Sequence, residues 1–228
     1  MILVAGSANL DFVVRAPHIP AAGETVLGRN FQTFPGGKGA NQAVACARAG
    51  GAPTAMLLAL GNDAFAQPLL DSLNAAQVQL HVVRAPQEPT GTAFICVSDA
   101  GENAITVAPG ANQALGAEDL PPLQGITHLL MQLETPLPTV MAYAQAARAQ
   151  GVQVLLNAAP AQHLPAALLA LVDILIVNEG ELAALTTAGT LQERLLQLDV
   201  PRVVVTLGAE GCLAKDGNQF VTQPAYPI

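Results

Sequence analysis

Lysine is almost missing from this chain. Its 228 residues hold only Lys38 and Lys215. Charged residues of every kind make up 11%, and 9 Lys+Arg face 17 Asp+Glu, for a formal charge of -8. So acidic a chain has no broad basic surface for nucleic acid or for an anionic membrane face. Small anionic ligands stay open, because they need one local site rather than a global field.

Cysteine is scarce too. Cys46, Cys96 and Cys212 are far apart and odd in number, and no CxxC pair exists. A disulfide framework and a paired-cysteine zinc site both lack support, which leaves buried thiols in a cytoplasmic protein. Long apolar runs are absent as well. The longest, Leu164 to Val177, is broken by Asp173 and is too short to cross a bilayer. Met1 to Ala5 has no basic flank and reads as a strand, not a signal peptide. His18, His81, His128 and His163 are scattered, and neither GxSxG nor HExxH occurs.

Apolar residues, in contrast, are plentiful. They form 51% of the chain and mean hydropathy is +0.41, enough for a large core and against disorder. The length suits one domain, or one with a small appendage.

The second half repeats short strand–helix units. Strands are predicted over 127–131, 152–157, 174–177 and 202–207. Helices fall over 136–149, 165–171, 180–186 and 190–198, with Thr135 capping the first of them. Val154 to Leu156, Ile174 to Val177 and Val203 to Val205 are unbroken apolar runs. Strands buried on both faces of a parallel sheet look like this. In the first half, strands are expected over 2–6, 54–60 and 80–84. Helices are expected over 39–49 and, capped by Asp63, to about 75. The fold class is therefore α/β: a doubly wound, mostly parallel sheet with helices on both faces. Two β-rich stretches, about 12–34 and 90–107, break the rhythm. They are predicted to pair into a small β lid on a single domain over 1–228.

Polar clusters recur where predicted strands end, which is where open α/β sheets bind ligands. Gly36-Gly37-Lys38-Gly39-Ala40-Asn41 precedes a helix, so backbone N–H groups and the helix field could meet an electron-rich group. It is not a Walker A loop, since Gly39 stands where Ser or Thr is required. A tight turn with an exposed lysine reads it equally well. Asn9 and Asp11 sit two apart and point one way in an extended chain, which suits vicinal hydroxyls or a simple Asx turn. Gln132-Leu133-Glu134 follows a further strand. Asn178 to Glu181 opens a helix, by dipole pairing or for metal and phosphate. Thr206, Gly208 and Gly211 could hold a nucleotide or form a plain hairpin turn.

Taken in order, these clusters resemble the ribokinase-like (PfkB) carbohydrate kinases. Gly36 to Ala43 looks like the family's first signature. Thr90-Gly91-Thr92-Ala93, Pro109-Gly110-Ala111-Asn112 and the remaining clusters follow in register across the chain. The Gly-Gly-Lys-Gly-Ala-Asn and Gln-Leu-Glu details are most similar to the ribokinase branch. The resemblance implies ATP-dependent phosphorylation of a sugar's primary hydroxyl, ribose to ribose 5-phosphate in the first instance. By it, Asn9, Asp11, Gly37, Lys38, Asn41 and Glu134 hold the sugar. Asn178, Thr206, Gly208 and Gly211 serve ATP, and Glu181 organises Mg2+ through water. The lid excludes water from the reaction and is a candidate surface for a homodimer.

The resemblance also implies a second signature, Gly-Ala-Gly-Asp, whose aspartate is the base and whose amides form the anion hole. No such run occurs in these residues. The base and the family's K+ site are expected beyond Ile228. The chain as given is therefore expected to be C-terminally incomplete, inactive, and to expose apolar sheet surface. The alternatives are a non-catalytic sugar-binding or interaction protein, or a kinase for fructose, another pentose or a nucleoside such as adenosine.

Overall fold

In a computed structural model, residues 1–226 are described. Nine strands form one sheet in the order β13-β12-β11-β10-β9-β8-β1-β4-β5. Its parallel part comprises β1 (Ile2–Ala5), β4 (Thr54–Leu60), β5 (Gln79–Arg84), β8 (His128–Met131), β9 (Gln153–Asn157), β10 (Ile174–Asn178) and β11 (Arg202–Thr206). Two antiparallel strands, β12 (Cys212–Asp216) and β13 (Gln219–Gln223), extend one edge. The α/β fold expected from the apolar runs is present.

Chain order along the sheet reverses between β1 and β8. The first half steps outward through β4 and β5, the second through β9, β10 and β11. Crevices form at such switch points, beyond the carboxyl ends of the strands.

Helices α1 (Lys38–Gly50) and α2 (Ala66–Ala75) cover one face, where Ala43, Leu69 and Leu73 join Val4, Met56 and Leu58 in a core. Small residues on α1 let its backbone lie close to the sheet, and Gly51 ends it in a left-handed conformation at φ 57°. The other face packs on α3 (Leu137–Ala149), α4 (Ala166–Leu169), α5 (Glu179–Leu185) and α6 (Leu191–Leu196). Each fully buried Leu or Val contributes about 1.5–3 kcal/mol relative to exposure.

All of β4 is buried, as its unbroken apolar run predicts. In β10 and β11 only one face is. Leu175, Val177, Val203 and Val205 are buried, while Ile174, Ile176 and Val204 stay partly exposed. The reason is that α1 and α2 pack on β1, β4 and β5 and do not reach that half. Val221 continues the apolar row at 62% exposure. The expected uncovered apolar surface lies here.

The two β-rich stretches pair into a separate four-stranded sheet, β3-β2-β6-β7. Its strands are β2 (Asn9–Ala16), β3 (Arg29–Gly36), β6 (Thr92–Ser98) and β7 (Asn103–Ala108). β2 thus begins at Asn9, so the Asn9–Asp11 pair belongs to this second sheet. The β6–β7 hairpin turns at Gly101, which takes φ 84°.

Three local expectations need correction. Asp63 does not cap α2, whose cap position is Phe65. Its carboxylate instead accepts from Phe65 N and, at 2.7 Å, from Thr90 N, tying the start of the second sheet to the main one. Thr135 does not cap α3; Pro136 occupies that position with no side-chain cap. The helix expected over 165–171 spans only Ala166–Leu169. The β12–β13 hairpin was not anticipated, because Lys215 and Asp216 interrupt its apolar pattern.

Candidate active site

The polar clusters meet where β1 and β8 end. A cavity of about 220 Å³ is lined by Asn9, Asp11, Gly37, Lys38, Asn41 and Glu134, with Ala93, Ile95, Ile105 and Val107 of the second sheet over it. All six residues expected at the sugar therefore surround one space. A second space of about 400 Å³ opens beside it, toward Pro109, Gln113 and Pro160.

Glycine makes this convergence possible. Gly37 sits at φ 90°, which turns the chain from β3 into α1. A Cβ on Gly39 would lie 2.7 Å from backbone atoms of Gly6 and Ser7. The start of α1 thus rests directly on the β1–β2 connection.

The first amides of α1 have protein partners. Gly39 N donates to Ser7 Oγ at 3.3 Å, and Ala40 N to Ser7 O at 2.9 Å. Lys38 N donates to Glu134 Oε2 at 3.2 Å, and Ser7 Oγ donates to the same oxygen at 2.5 Å. Lys38 Nζ lies 3.6 Å from Glu134 Oε1. The negative group at this helix end is therefore the protein's own carboxylate, which suits the helix field. Burial, and next the nearby Glu134 charge, raise the Asp11 carboxyl to about 6.

Two polar residues outside the six expected ones complete this assembly. Ser7 is fully buried and bridges α1 to Glu134. Asn112 is buried under Asn9 and hydrogen-bonded to it. Their only signal in the sequence is position, Ser7 two residues before Asn9 and Asn112 at the end of Pro109-Gly110-Ala111-Asn112. An amide chain runs beside them. Gln132 donates to Gln42 at 2.5 Å, Gln42 to Asn157 at 3.2 Å, and Asn157 to Ile176 O at 3.2 Å.

The other expected residues stand farther along the same sheet edge. Asn178 and Thr206 are paired neighbours at the ends of β10 and β11. Asn178 Oδ1 accepts from Glu181 N, and Glu181 Oε2 from Asn178 N, both at 2.8 Å. That reciprocal pair caps α5. Gly208 and Gly211 take positive φ in the turn between β11 and β12. The stretch is a hairpin connection at a strand end.

The family description "pfkB family carbohydrate kinase" matches residues 1–228. The chain belongs to that family. This kinase chain is 39% identical to the ribokinase of Haemophilus influenzae over 92% of its own length and 72% of that protein. It is 32% identical to the ribokinase of Staphylococcus aureus, covering all of this chain and 79% of that one. Among solved structures it resembles an Arabidopsis thaliana ribokinase complexed with ribose and ATP, at 31% identity and TM-score 0.87, covering 99% of this chain and 78% of that one. A Thermotoga maritima ribokinase aligns at 33% identity and TM-score 0.86, covering 100% and 78%. Among the described residues of this kinase, no helix is long and apolar enough to cross a membrane.

Proposed function

We propose that this chain provides the sugar and nucleotide sites of a ribokinase, which moves the ATP γ-phosphoryl group to the primary hydroxyl of ribose. The observation that carries the reading is the single cavity shared by Asn9, Asp11, Gly37, Lys38, Asn41 and Glu134. Its chemistry suits a small polyol: carboxylates accept from hydroxyls, and Lys38 and the carboxamides donate to them. The 39% identity to a ribokinase and the ribose and ATP held by the Arabidopsis relative support it.

On this reading Asn178, Thr206, Gly208 and Gly211 face ATP at the ends of β10 and β11. Glu181 Oε1 makes no hydrogen bond among the described residues, and no group of three or more His, Cys, Asp or Glu could cage a metal there. One carboxylate with a spare oxygen fits Mg2+ held through water rather than by an all-protein cage. The ion would neutralise phosphate charge. K+ has no assigned residue in this stretch. The second sheet, with Ile105 and Val107 toward the sugar, closes as a lid on a single unit spanning 1–228. Its other face, where Phe12 stacks on Phe31 and Phe94 beside a space of about 440 Å³, pairs two copies.

No Gly-Ala-Gly-Asp run occurs in these 228 residues. By family chemistry that run supplies base and anion hole, so these residues bind without transferring phosphoryl. The second reading is a sugar-binding protein, for which the cavity alone would suffice. Calorimetry with ribose and an ATP-coupled assay decide: ribose binding without turnover is expected. Turnover by these 228 residues would refute the missing base, and absence of ribose binding would refute the sugar site. Competition by fructose, other pentoses and adenosine ranks the substrates.

A further inference from the structure

Asn9 is 2% exposed, and its carboxamide could in principle turn either its oxygen or its NH2 toward the sugar cavity. The choice decides whether the sugar meets an acceptor or a donor at that point. The surrounding structure makes it.

The backbone of Ala8 presents groups of fixed polarity. Ala8 N is a donor, and it donates to Asn112 Oδ1 at 3.0 Å. Ala8 O is an acceptor, and it accepts from Asn112 Nδ2 at 3.3 Å. A flipped Asn112 would put NH2 against N–H and oxygen against oxygen, so its orientation is set. The second Nδ2 proton then points at Asn9 and is donated to Asn9 Oδ1 at 2.7 Å. Asn9 Oδ1 is thereby engaged, and its Nδ2 has no protein partner among the described residues. A buried amide in this state costs least when the free NH2 meets a hydroxyl oxygen.

Gly91 protects the arrangement. A Cβ there would lie 2.3 Å from Asn112 Nδ2 and 2.3 Å from Asn9 Oδ1, on the hydrogen bond itself. Leu10 N donates to Gly91 O at 2.9 Å, which holds that backbone beside Asn9.

We infer that Asn112 is a positioning residue that fixes Asn9 as a hydrogen-bond donor to one sugar hydroxyl, with Gly91 clearing the space for it. The inference rests on the sugar-site reading but is separable from it. Asn112 acts only through Asn9 and needs no contact with substrate.

The test uses the 228-residue chain with ribose and its monodeoxy and monodeoxyfluoro analogues. Fluorine accepts but cannot donate. In the unmodified chain the fluoro analogue at one ring position binds about three- to tenfold better than the deoxy analogue there, one hydrogen bond's worth. Asn112→Asp cannot donate to Asn9, so Asn9 turns and presents Oδ1. The fluoro-over-deoxy order then inverts at that position and nowhere else. An unchanged order, or a uniform loss at every position, overturns the inference. Gly91→Ala should erase the same preference through a different residue, and retention of it there also counts against the inference. Should Asn112→Asp not fold, or ribose not bind, side-chain amide exchange by NMR decides on the unmodified chain. The Asn112 NH2 protons should exchange at least tenfold more slowly than those of Asn9. Equal rates overturn the inference whatever the fate of the sugar reading.

Discussion

Replacing Glu134 by Gln separates two forces that act on the cavity lined by Asn9, Asp11 and Lys38. Glu134 Oε2 accepts from Ser7 Oγ at 2.5 Å and from Lys38 N at 3.2 Å. The Gln variant keeps its oxygen there, because turning the NH2 inward would oppose the Lys38 N–H. Both bonds then survive without charge. Charge-assisted bonds are worth about 1.5–3 kcal/mol and neutral ones about 0.5–1.5, so losing the charge costs about 2–3 kcal/mol over the two. The Lys38 ion pair adds little, at most about 1 kcal/mol, because the lysine side chain is 38% exposed. Urea unfolding should therefore show Glu134→Gln destabilised by about 2–3 kcal/mol, nearly independent of salt. Asp11 responds differently. Its carboxyl is raised to about 6 chiefly by burial, and only secondarily by Glu134. A carboxyl-NMR titration of the variant should find Asp11 lowered but still above the ordinary aspartate range. The sign can also be read from stability. Folded Asp11 keeps its proton to about 6, and the unfolded form releases it near 3.8. The folded state binds more protons in that window, so stability falls as pH rises through it. The slope should persist in Glu134→Gln over a narrower window. An Asp11 value restored to the ordinary range, or a stability change below about 0.5 kcal/mol, would refute this ordering of forces.

Gly39→Ala would push a Cβ to 2.7 Å from three backbone atoms; ribose binding by calorimetry should be lost, while Gly51→Ala at the other end of α1, with open space around it, should leave binding intact. Asn178→Ala removes the side chain that caps α5 and should cost about 1 kcal/mol in thermal or urea unfolding, and it should also free Glu181 and weaken nucleotide affinity. Lys215 is buried and donates to Leu198 O at 2.8 Å, and burial holds its ammonium below the usual 10.5. The folded state binds fewer protons between that depressed value and 10.5, so stability should rise with pH there, and Lys215→Met should abolish the slope.

Short-range chemistry was legible in the residues themselves. The unbroken apolar runs announced parallel strands, because a strand between two helix layers has no polar face. Gly51 stopped α1 and Gly101 turned the β6–β7 hairpin, each at positive φ. The order of polar clusters marked the strand ends. Other features were not legible, because each depends on a partner far away in sequence. Asp63 looks like a helix cap until Thr90, 27 residues on, takes its carboxylate. The runs in β10 and β11 read as doubly buried, yet α1 and α2 end their coverage at the other half of the sheet.

Local periodicity and turn chemistry specify most of the elements and the two β-rich stretches, while the six residues lining the cavity follow from the order of polar clusters through the family resemblance. Only the tertiary structure decided what lies beneath that cavity. Ser7 meets Glu134 across 127 residues, and Asn112 meets Asn9 across 103. No spacing rule reaches so far. The adjacency of β1 and β8 brings Ser7 to Glu134, and the second sheet, which starts at Asn9 and leads out of β7 to Asn112, brings Asn9 to Asn112.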